Sequence, residues 1–182
     1  MTTYCDFVRT RAEGDVHRHY HDHEYGFPLH DDNQLFERLV LEINQAGLSW
    51  ETILKKKDNF HRAFKRFDID TVASFTHKDR ERLLGDASII RNRLKVDAAI
   101  ENAKRVQAIR KEHGSFREWL DAYHPLSEPE WVKLFKQHFK FVGGEIVREF
   151  LLSTGYIQGA HAADCSVYAE IAKLKPRWMS VR

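Results

Sequence analysis

Asp31-Asp32-Asn33-Gln34-Leu35-Phe36-Glu37-Arg38-Leu39-Val40-Leu41-Glu42-Ile43-Asn44-Gln45-Ala46-Gly47-Leu48-Ser49-Trp50 is the stretch that decides the fold. Leu35, Phe36, Leu39, Val40 and Ile43 recur at steps of three and four residues, the period of a helix with one apolar face. Asp31 and Asp32 stand ahead of that face, where a carboxylate can cap the first turn. Gly47 breaks the pattern, and Ser49 is placed to cap a second helix carrying Trp50, Ile53 and Leu54. The predicted unit is a helical corner that presents Glu42 near Trp50. Glu42 falls between Leu41 and Ile43 on an otherwise apolar helix. A carboxylate buried there must be paired, hydrogen-bonded or functional, because an unpaired charge is expensive to bury. A carboxylate acceptor beside an indole suits a flat base carrying an amino group. The same residues also fit a solvated glutamate next to a core tryptophan.

The helical period continues outward from this corner. Thr76-x-x-Asp79 caps a short helix holding Leu83 and Leu84, and Ser115-x-x-Glu118 and Ser127-x-x-Glu130 have the form of capping boxes. From about Arg91 to His113, Leu94, Ala98, Ile100, Ala103, Val106 and Ile109 form a long amphipathic stripe, and Gly114 and Gly155 read as helix stops. Between the short and the long helix lies Gly85-Asp86-Ala87-Ser88-Ile89-Ile90, followed by Arg91-Asn92-Arg93. This pattern fits a helix-hairpin-helix over about 77–112, whose turn amides and second helix start would face a DNA phosphate. Arg91, Arg93 and Lys95 could add positive charge there. A plain αα-turn fits the same residues. Alternation with period two is found in the histidine-rich stretch before His23. The expectation is an all-α fold with residues 1–182 as one domain.

Bulk properties narrow the class. At 21.5 kDa and 42% apolar residues, the chain can bury a substantial core. A net charge of +2 and a pI near 8.5 exclude a molecule that is basic overall, while leaving local basic patches for DNA. No stretch approaches about 20 apolar residues, so no membrane span is expected. The first residues are polar where a signal peptide needs an apolar run. Two cysteines are too few for a disulfide scaffold, and a reducing cytoplasm is the expected location.

Those two cysteines stand far apart, each near a histidine-containing segment. Cys5 precedes Tyr20-His21-Asp22, and His161-x-x-x-Cys165 lies near the other end. Two thiolates and two imidazoles are a set that Zn²⁺ prefers, and four protein ligands indicate a structural ion. On a helix, His161 and Cys165 would share a face. His17, His19, His21 and His23 alternate, and on an extended strand all four would project to one side. Spacing therefore does not select one histidine, nor separate a zinc clip from unrelated buried thiols and surface histidines.

Five segments occur in one order: Tyr20-His21-Asp22-x-Glu24-Tyr25-Gly26, Glu42-x-x-Gln45-Ala46-Gly47-Leu48-Ser49-Trp50, Ile89-Ile90-Arg91-Asn92, Phe139-Lys140-Phe141-Val142-Gly143 and His161-x-x-x-Cys165. Together with Cys5, the sequence resembles the DNA-3-methyladenine glycosylase I family, the zinc-containing branch of the helix-hairpin-helix glycosylases. The resemblance runs from Cys5 to about Tyr168. It implies a helix-hairpin-helix glycosylase fold with one structural Zn²⁺ held by Cys5, His21, His161 and Cys165, tying segments 5–21 and 161–165 together. It implies that Glu42 recognises the base and stabilises its charge without covalent attack. It places Tyr20 and Trp50 against the base, with Phe7, Tyr25 and Gln45 around them. Leu48, Ser88, Ile89, Arg91 and Arg93 would meet double-stranded DNA, with Leu48 as an apolar wedge.

The implied reaction is base-excision repair by a monofunctional hydrolase, a monomer that releases free 3-methyladenine and leaves an abasic site. Four positions depart from the family pattern. Tyr25 stands where the family usually has Trp, Phe7 where a Trp follows the first zinc cysteine, His17 at an aromatic pocket position, and Ser88 at the usual hairpin Gly. An alternative is therefore a weakly active or altered-specificity member. A metal-dependent hydrolase using the alternating histidines is a further reading, independent of the resemblance. The Lys173–Arg182 segment, with Lys175, Arg177 and Arg182, is expected to be a disordered basic tail.

Overall fold

The computed structural model describes residues 3–180 and contains eleven α-helices and two 3₁₀ turns, with no strand among the described residues. The helix at its centre is the one the 31–50 stretch predicts. This α3 (Asp32–Gln45) buries Leu35, Phe36, Leu39, Val40, Leu41 and Ile43. It packs against α4 (Trp50–Ala63), α7 (Arg93–His113), α8 (Phe116–Tyr123) and α10 (Gly144–Ser153). Asp31 caps α3 by accepting from the Gln34 amide at 3.0 Å. Asp32 has a different task. Its carboxylate accepts from the Phe116 and Arg117 amides at 2.9 and 3.1 Å, capping α8, and from Arg110 Nε at 2.9 Å. One acidic dipeptide thus fixes two helix starts through the same orphan-amide chemistry.

The corner after α3 forms as expected. Gly47 has φ of +79°, and Ser49 caps α4 by accepting from the Thr52 amide. Thr76 and Asp79 complete a capping box on α6 (His77–Gly85), as Ser127 and Glu130 do on α9 (Glu128–His138). At Ser115 only half of the box is made. Its hydroxyl accepts from the Glu118 amide, but the Glu118 carboxylate takes the hydroxyl proton and not the capping residue's amide. Gly114 and Gly155 both sit at positive φ just past helix ends.

The structure departs from the sequence reading at four points. The histidine-rich stretch is helical, α2 (Val16–His23), capped by Asp15. His17, Tyr20 and His21 face inward at helical spacing while His19 and His23 face solvent. Counting histidine as polar conceals this period, because half of the histidines belong to the buried face. His161 and Cys165 lie in a turned segment and not on a helix, Cys165 being the capping residue of α11 (Ser166–Lys173). The tail is not a free basic segment through Ser180. Arg177 forms an ion pair with Asp121, the Trp178 amide donates to the Gly155 carbonyl at 3.2 Å, and the Trp178 ring lies 5.8 Å from that of Tyr168. Lys175 is exposed, and Arg182 lies outside the described residues. Within the long helix, Leu94 does not join the core stripe; it is 67% exposed at the first turn.

Candidate base pocket and metal centre

A cavity of about 290 Å³ opens where α2, α3, α4 and α10 meet. Its walls are Tyr4, Tyr20, Tyr25, Glu42, Gln45, Trp50, Glu145 and Glu149. Glu42 is 4% exposed, and its carboxyl accepts no hydrogen bond from any described residue. Burial, the dominant cause, pushes its pKa up to about 8; Arg38 opposes the rise, and Glu149 and Glu145 add to it. A buried carboxyl without a partner is a group waiting for a donor.

Aromatic rings frame it. Tyr20 and Trp50 meet edge to face at 5.2 Å, Tyr20 and Tyr25 lie 5.6 Å apart, and Tyr4 meets Tyr25 edge-on at 5.3 Å. The Trp50 indole N–H is buried without a partner. Arg38, buried behind Tyr20, donates to the Tyr20 hydroxyl at 3.1 Å and to the Ser153 carbonyl at 3.3 Å, and pairs with Glu24 at 3.5 Å. Burial raises the hydroxyl pKa of Tyr20, Tyr25 and Tyr4 well above the usual tyrosine range, so all three stay neutral donors. Glu149 is likewise raised by burial, and the Tyr25 hydroxyl donates to its Oε2 at 3.3 Å.

Of the residues expected at the base, Glu42, Tyr20, Tyr25, Trp50 and Gln45 converge on the cavity. Phe7 does not line it. Its ring stacks on Tyr4 at 6.1 Å and meets His17 edge-on at 5.1 Å, with Arg11 over its face. His17 is likewise a support, its Nδ1 within 3.0 Å of the Tyr4 hydroxyl. Tyr4, Glu145 and Glu149 went unrecognised in the sequence. The i,i+4 spacing of Glu145 and Glu149 places them on one helix face, but nothing local shows that this face meets α3.

The four expected ligand residues come together in one cluster that could hold a metal ion. Cys5, His21, His161 and Cys165 are all buried, and their ligand atoms lie within 4.8 Å of one another. Cys5 and Cys165 Sγ each lie 3.7 Å from His161 Nδ1, and Cys165 Sγ lies 3.7 Å from His21 Nε2. With metal–sulfur and metal–nitrogen bonds of about 2.3 and 2.0 Å, tetrahedron edges would be about 3.5 Å. The other ring nitrogens are already engaged, His21 Nδ1 with Asp22 Oδ1 at 2.7 Å and His161 Nε2 with the Tyr25 carbonyl at 2.7 Å. That outer shell leaves the inward nitrogens as acceptors for a metal. The donor set fits a tetrahedral ion. His19 and His23 face away and His17 is held by Tyr4, so the alternating histidines do not form a second centre.

A short turn joins α6 to α7 where the 77–112 pattern is read, and its charged residues have separate tasks. Ser88 replaces glycine without strain, since it is not among the described residues at positive φ. Its hydroxyl and amide both donate to Asp86 Oδ1, at 2.6 and 2.9 Å. Lys56 and Asn59 of α4 hold the Ser88 carbonyl from behind, at 3.1 and 3.2 Å. The Ile89 side chain belongs to the core and is not exposed for contact. Arg91 and Arg93 are exposed, and Leu48 stands out at the corner with 39% exposure. Lys95 is buried and turned inward, donating to the Asn44 and Ala46 carbonyls at 2.8 and 2.6 Å. It is therefore no free phosphate ligand. It closes the C-terminal end of α3 and ties the hairpin to the corner that carries Glu42, Leu48 and Trp50.

A family model described as methyladenine glycosylase matches residues 11–168. The chain is 36% identical to the DNA-3-methyladenine glycosylase 1 of Escherichia coli, over 82% of this chain and 89% of that protein. It is 33% identical to the DNA-3-methyladenine glycosylase of Haemophilus influenzae, over 91% and 97%. Among solved structures, that of 3-methyladenine DNA glycosylase I from Staphylococcus aureus, on the structural basis of 3-methyladenine recognition, superposes with a TM-score of 0.78 at 34% identity, covering 86% of this chain and 93% of that one. A tyrosine-to-phenylalanine variant of 3-methyladenine DNA glycosylase I in complex with 3-methyladenine gives 0.79 at 34% identity, covering 86% and 94%.

Proposed function

This chain belongs to the methyladenine glycosylase family, and from that membership and its pocket we infer that it excises 3-methyladenine from alkylated DNA in base-excision repair. The observation that carries the reading is Glu42, buried without a partner in an aromatic-walled cavity. Alkylation at N3 makes the nucleobase cationic, so the C1′–N9 bond breaks with the electron pair leaving on the purine. Water then adds at C1′ and gives up a proton to solvent, leaving free 3-methyladenine and an abasic site. Such a leaving group needs extrusion, recognition and water access more than a strong nucleophile. Glu42 accepts from the exocyclic amine and balances the positive charge as an ionised carboxylate. Trp50 and Tyr20 offer ring faces and edges to a stacked purine, and their fixed geometry lowers the entropy of holding it.

Double-stranded DNA is the partner, approached through the corner and the hairpin. Leu48 fills the space vacated by the flipped nucleotide, while Arg91, Arg93 and the α7 start meet phosphates. The exposure of Leu48 and the two arginines supports this placement. Cys5, His21, His161 and Cys165 would hold one Zn²⁺, which supplies cross-linking and no step of the reaction. Its position supports a specific role. His21 follows Tyr20, and His161 holds the Tyr25 carbonyl, so the clip braces two pocket walls. The protein is read as a monomer in the cytoplasm, where thiolates stay reduced and DNA is at hand.

The test is release of 3-methyladenine from methylated duplex DNA by wild type and Glu42→Gln. Release by the wild type with a loss of about 1–3 kcal/mol in transition-state stabilisation for the variant is expected. No excision by the wild type at stoichiometric enzyme would overturn the reading. A second reading, altered base preference within the same reaction, is favoured by one observation: Tyr25 engages an additional pocket carboxylate.

A further inference from the structure

We propose that Glu149, held at the cavity by the Tyr25 hydroxyl, is a second recognition carboxylate that makes the pocket select positively charged bases over neutral ones. The inference rests on the base-excision reading above. It names the residue that determines how strongly charge, as distinct from shape, decides which base is accepted.

Among the described residues three carboxyl groups line the cavity, Glu42 from α3 and Glu145 and Glu149 from α10, and no lysine, arginine or histidine does. The nearest buried cation, Arg38, is turned away onto Tyr20, Ser153 and Glu24. Arg148 meets Glu149 from the exposed side at 3.3 Å. The cavity therefore surrounds a ligand with carboxyl groups that can ionise against a cation and with no cationic side chain, and its aromatic walls can present negative ring faces as well. One buried acceptor, Glu42, suffices for the single exocyclic amine of an adenine. To a neutral adenine a second carboxylate offers at most an acceptor for the amine's remaining N–H, against the cost of losing its own hydration. To a cation it offers attraction in a poorly hydrated site.

The Tyr25–Glu149 contact makes the second carboxylate a fixed feature of the wall. Tyr25 stands at the position where the resembling family usually has Trp, and an indole has no hydroxyl to donate in this way. Glu149 is half-buried and has its two oxygens engaged separately, Oε2 by Tyr25 and Oε1 by Arg148; burial raises its pKa, and both of these partners oppose the rise by favouring the carboxylate. Glu42, nine-tenths buried and without a partner, shows independently that the same cavity is built for a ligand with a donor.

The experiment compares two free ligands of nearly equal shape: 9-methyladenine, which is neutral, and 3,9-dimethyladeninium, which carries a fixed positive charge. Dissociation constants are measured by quenching of tryptophan fluorescence for wild type, Glu149→Gln and Tyr25→Phe. Glu149→Gln should weaken the cation about tenfold, the size of one hydrogen bond to a charged group at a half-exposed site. The neutral ligand should change less than about twofold on the same scale. Tyr25→Phe keeps the carboxylate and loses its anchor, so its cation preference should fall between the two. A purely structural role would weaken both ligands in parallel, and unchanged cation-to-neutral ratios in both variants would overturn the proposal. If Glu149→Gln does not fold, the ratio in Tyr25→Phe decides alone. Excision of 3-methyladenine is assayed on the same wild-type preparation. Absence of excision refutes the repair reading, whereas excision with an unchanged ratio refutes only the role of Glu149.

Discussion

Replacing Glu42 with glutamine should stabilise the protein, and the gain should grow as pH rises. In the unfolded chain this carboxyl loses its proton near the ordinary value of 4.5, whereas in the fold it does so at about 8. Between those values the native state holds a proton that the unfolded state has released. Stability therefore falls as pH rises from about 4.5 to about 8 and levels off beyond. The groups facing Glu42 account for the sign: burial, Glu145 and Glu149 oppose ionisation, Arg38 favours it, and the Tyr20 and Tyr25 hydroxyls stay neutral throughout. At pH 7 the unfolded carboxyl is about 2.5 pH units past its midpoint while the native one remains mostly protonated. The penalty is on the order of 3 kcal/mol. Glutamine copies the shape of the protonated acid and carries no such penalty. For a chain of this length, the melting temperature of Glu42→Gln should exceed that of wild type by about 6–12 °C at pH 7, with most of the gap closed at pH 5. Thermal unfolding followed by circular dichroism between pH 5 and 8.5 measures it. Base binding should show the other side of the linkage, with wild type releasing a proton on taking up a cationic base at pH 7, read by calorimetry in two buffers. Parallel melting curves for the two proteins would refute the buried, partnerless carboxyl as described.

Three further outcomes follow from the geometry. Cys165→Ser should abolish stoichiometric metal content and lower the melting temperature, while Glu42 variants keep the metal. Full metal content by mass spectrometry in Cys165→Ser would disprove the four-ligand centre. Gly26 sits at φ of +82°, and a Cβ there would stand 2.9 Å from Ala160 Cβ and 3.3 Å from the His161 ring. Gly26→Ala should therefore cost about 2–4 kcal/mol in denaturant unfolding and weaken metal retention, and a cost below about 0.5 kcal/mol would contradict the close approach. Arg91→Ala and Arg93→Ala should weaken DNA binding across sequences and reduce the slope of log affinity against log salt by about one each, without changing free-base affinity. An unchanged slope would place the DNA elsewhere.

Much of the site was legible because it depends on local chemistry. Glu42 stood out as a charge on an apolar face, Gly47 and Ser49 as a break followed by a cap, and Thr76 and Asp79 as reciprocal partners three residues apart. The misreadings share one cause. His17 and His21 looked like part of an alternating strand because their burial depends on Tyr4 and on the distant His161 and Cys165. Lys95 read as a DNA cation because nothing nearby in sequence reveals the Asn44 and Ala46 carbonyls that take its protons. Arg177 read as a tail residue because its partner, Asp121, is 56 residues away.

The sequence by itself therefore determined the helical class and the corner that carries Glu42 and Trp50, whereas among its cysteines and histidines only the family resemblance singled out Cys5, His21, His161 and Cys165. The class and the corner follow from period and capping, which act over a few residues. Only the tertiary structure decided that α10 brings Glu145 and Glu149 to the same cavity, that Phe7 stays outside it, and that Asp32 caps a helix more than eighty residues away. Those arrangements depend on which faces meet across long loops, and the free energy that selects them comes from burying the whole core at once.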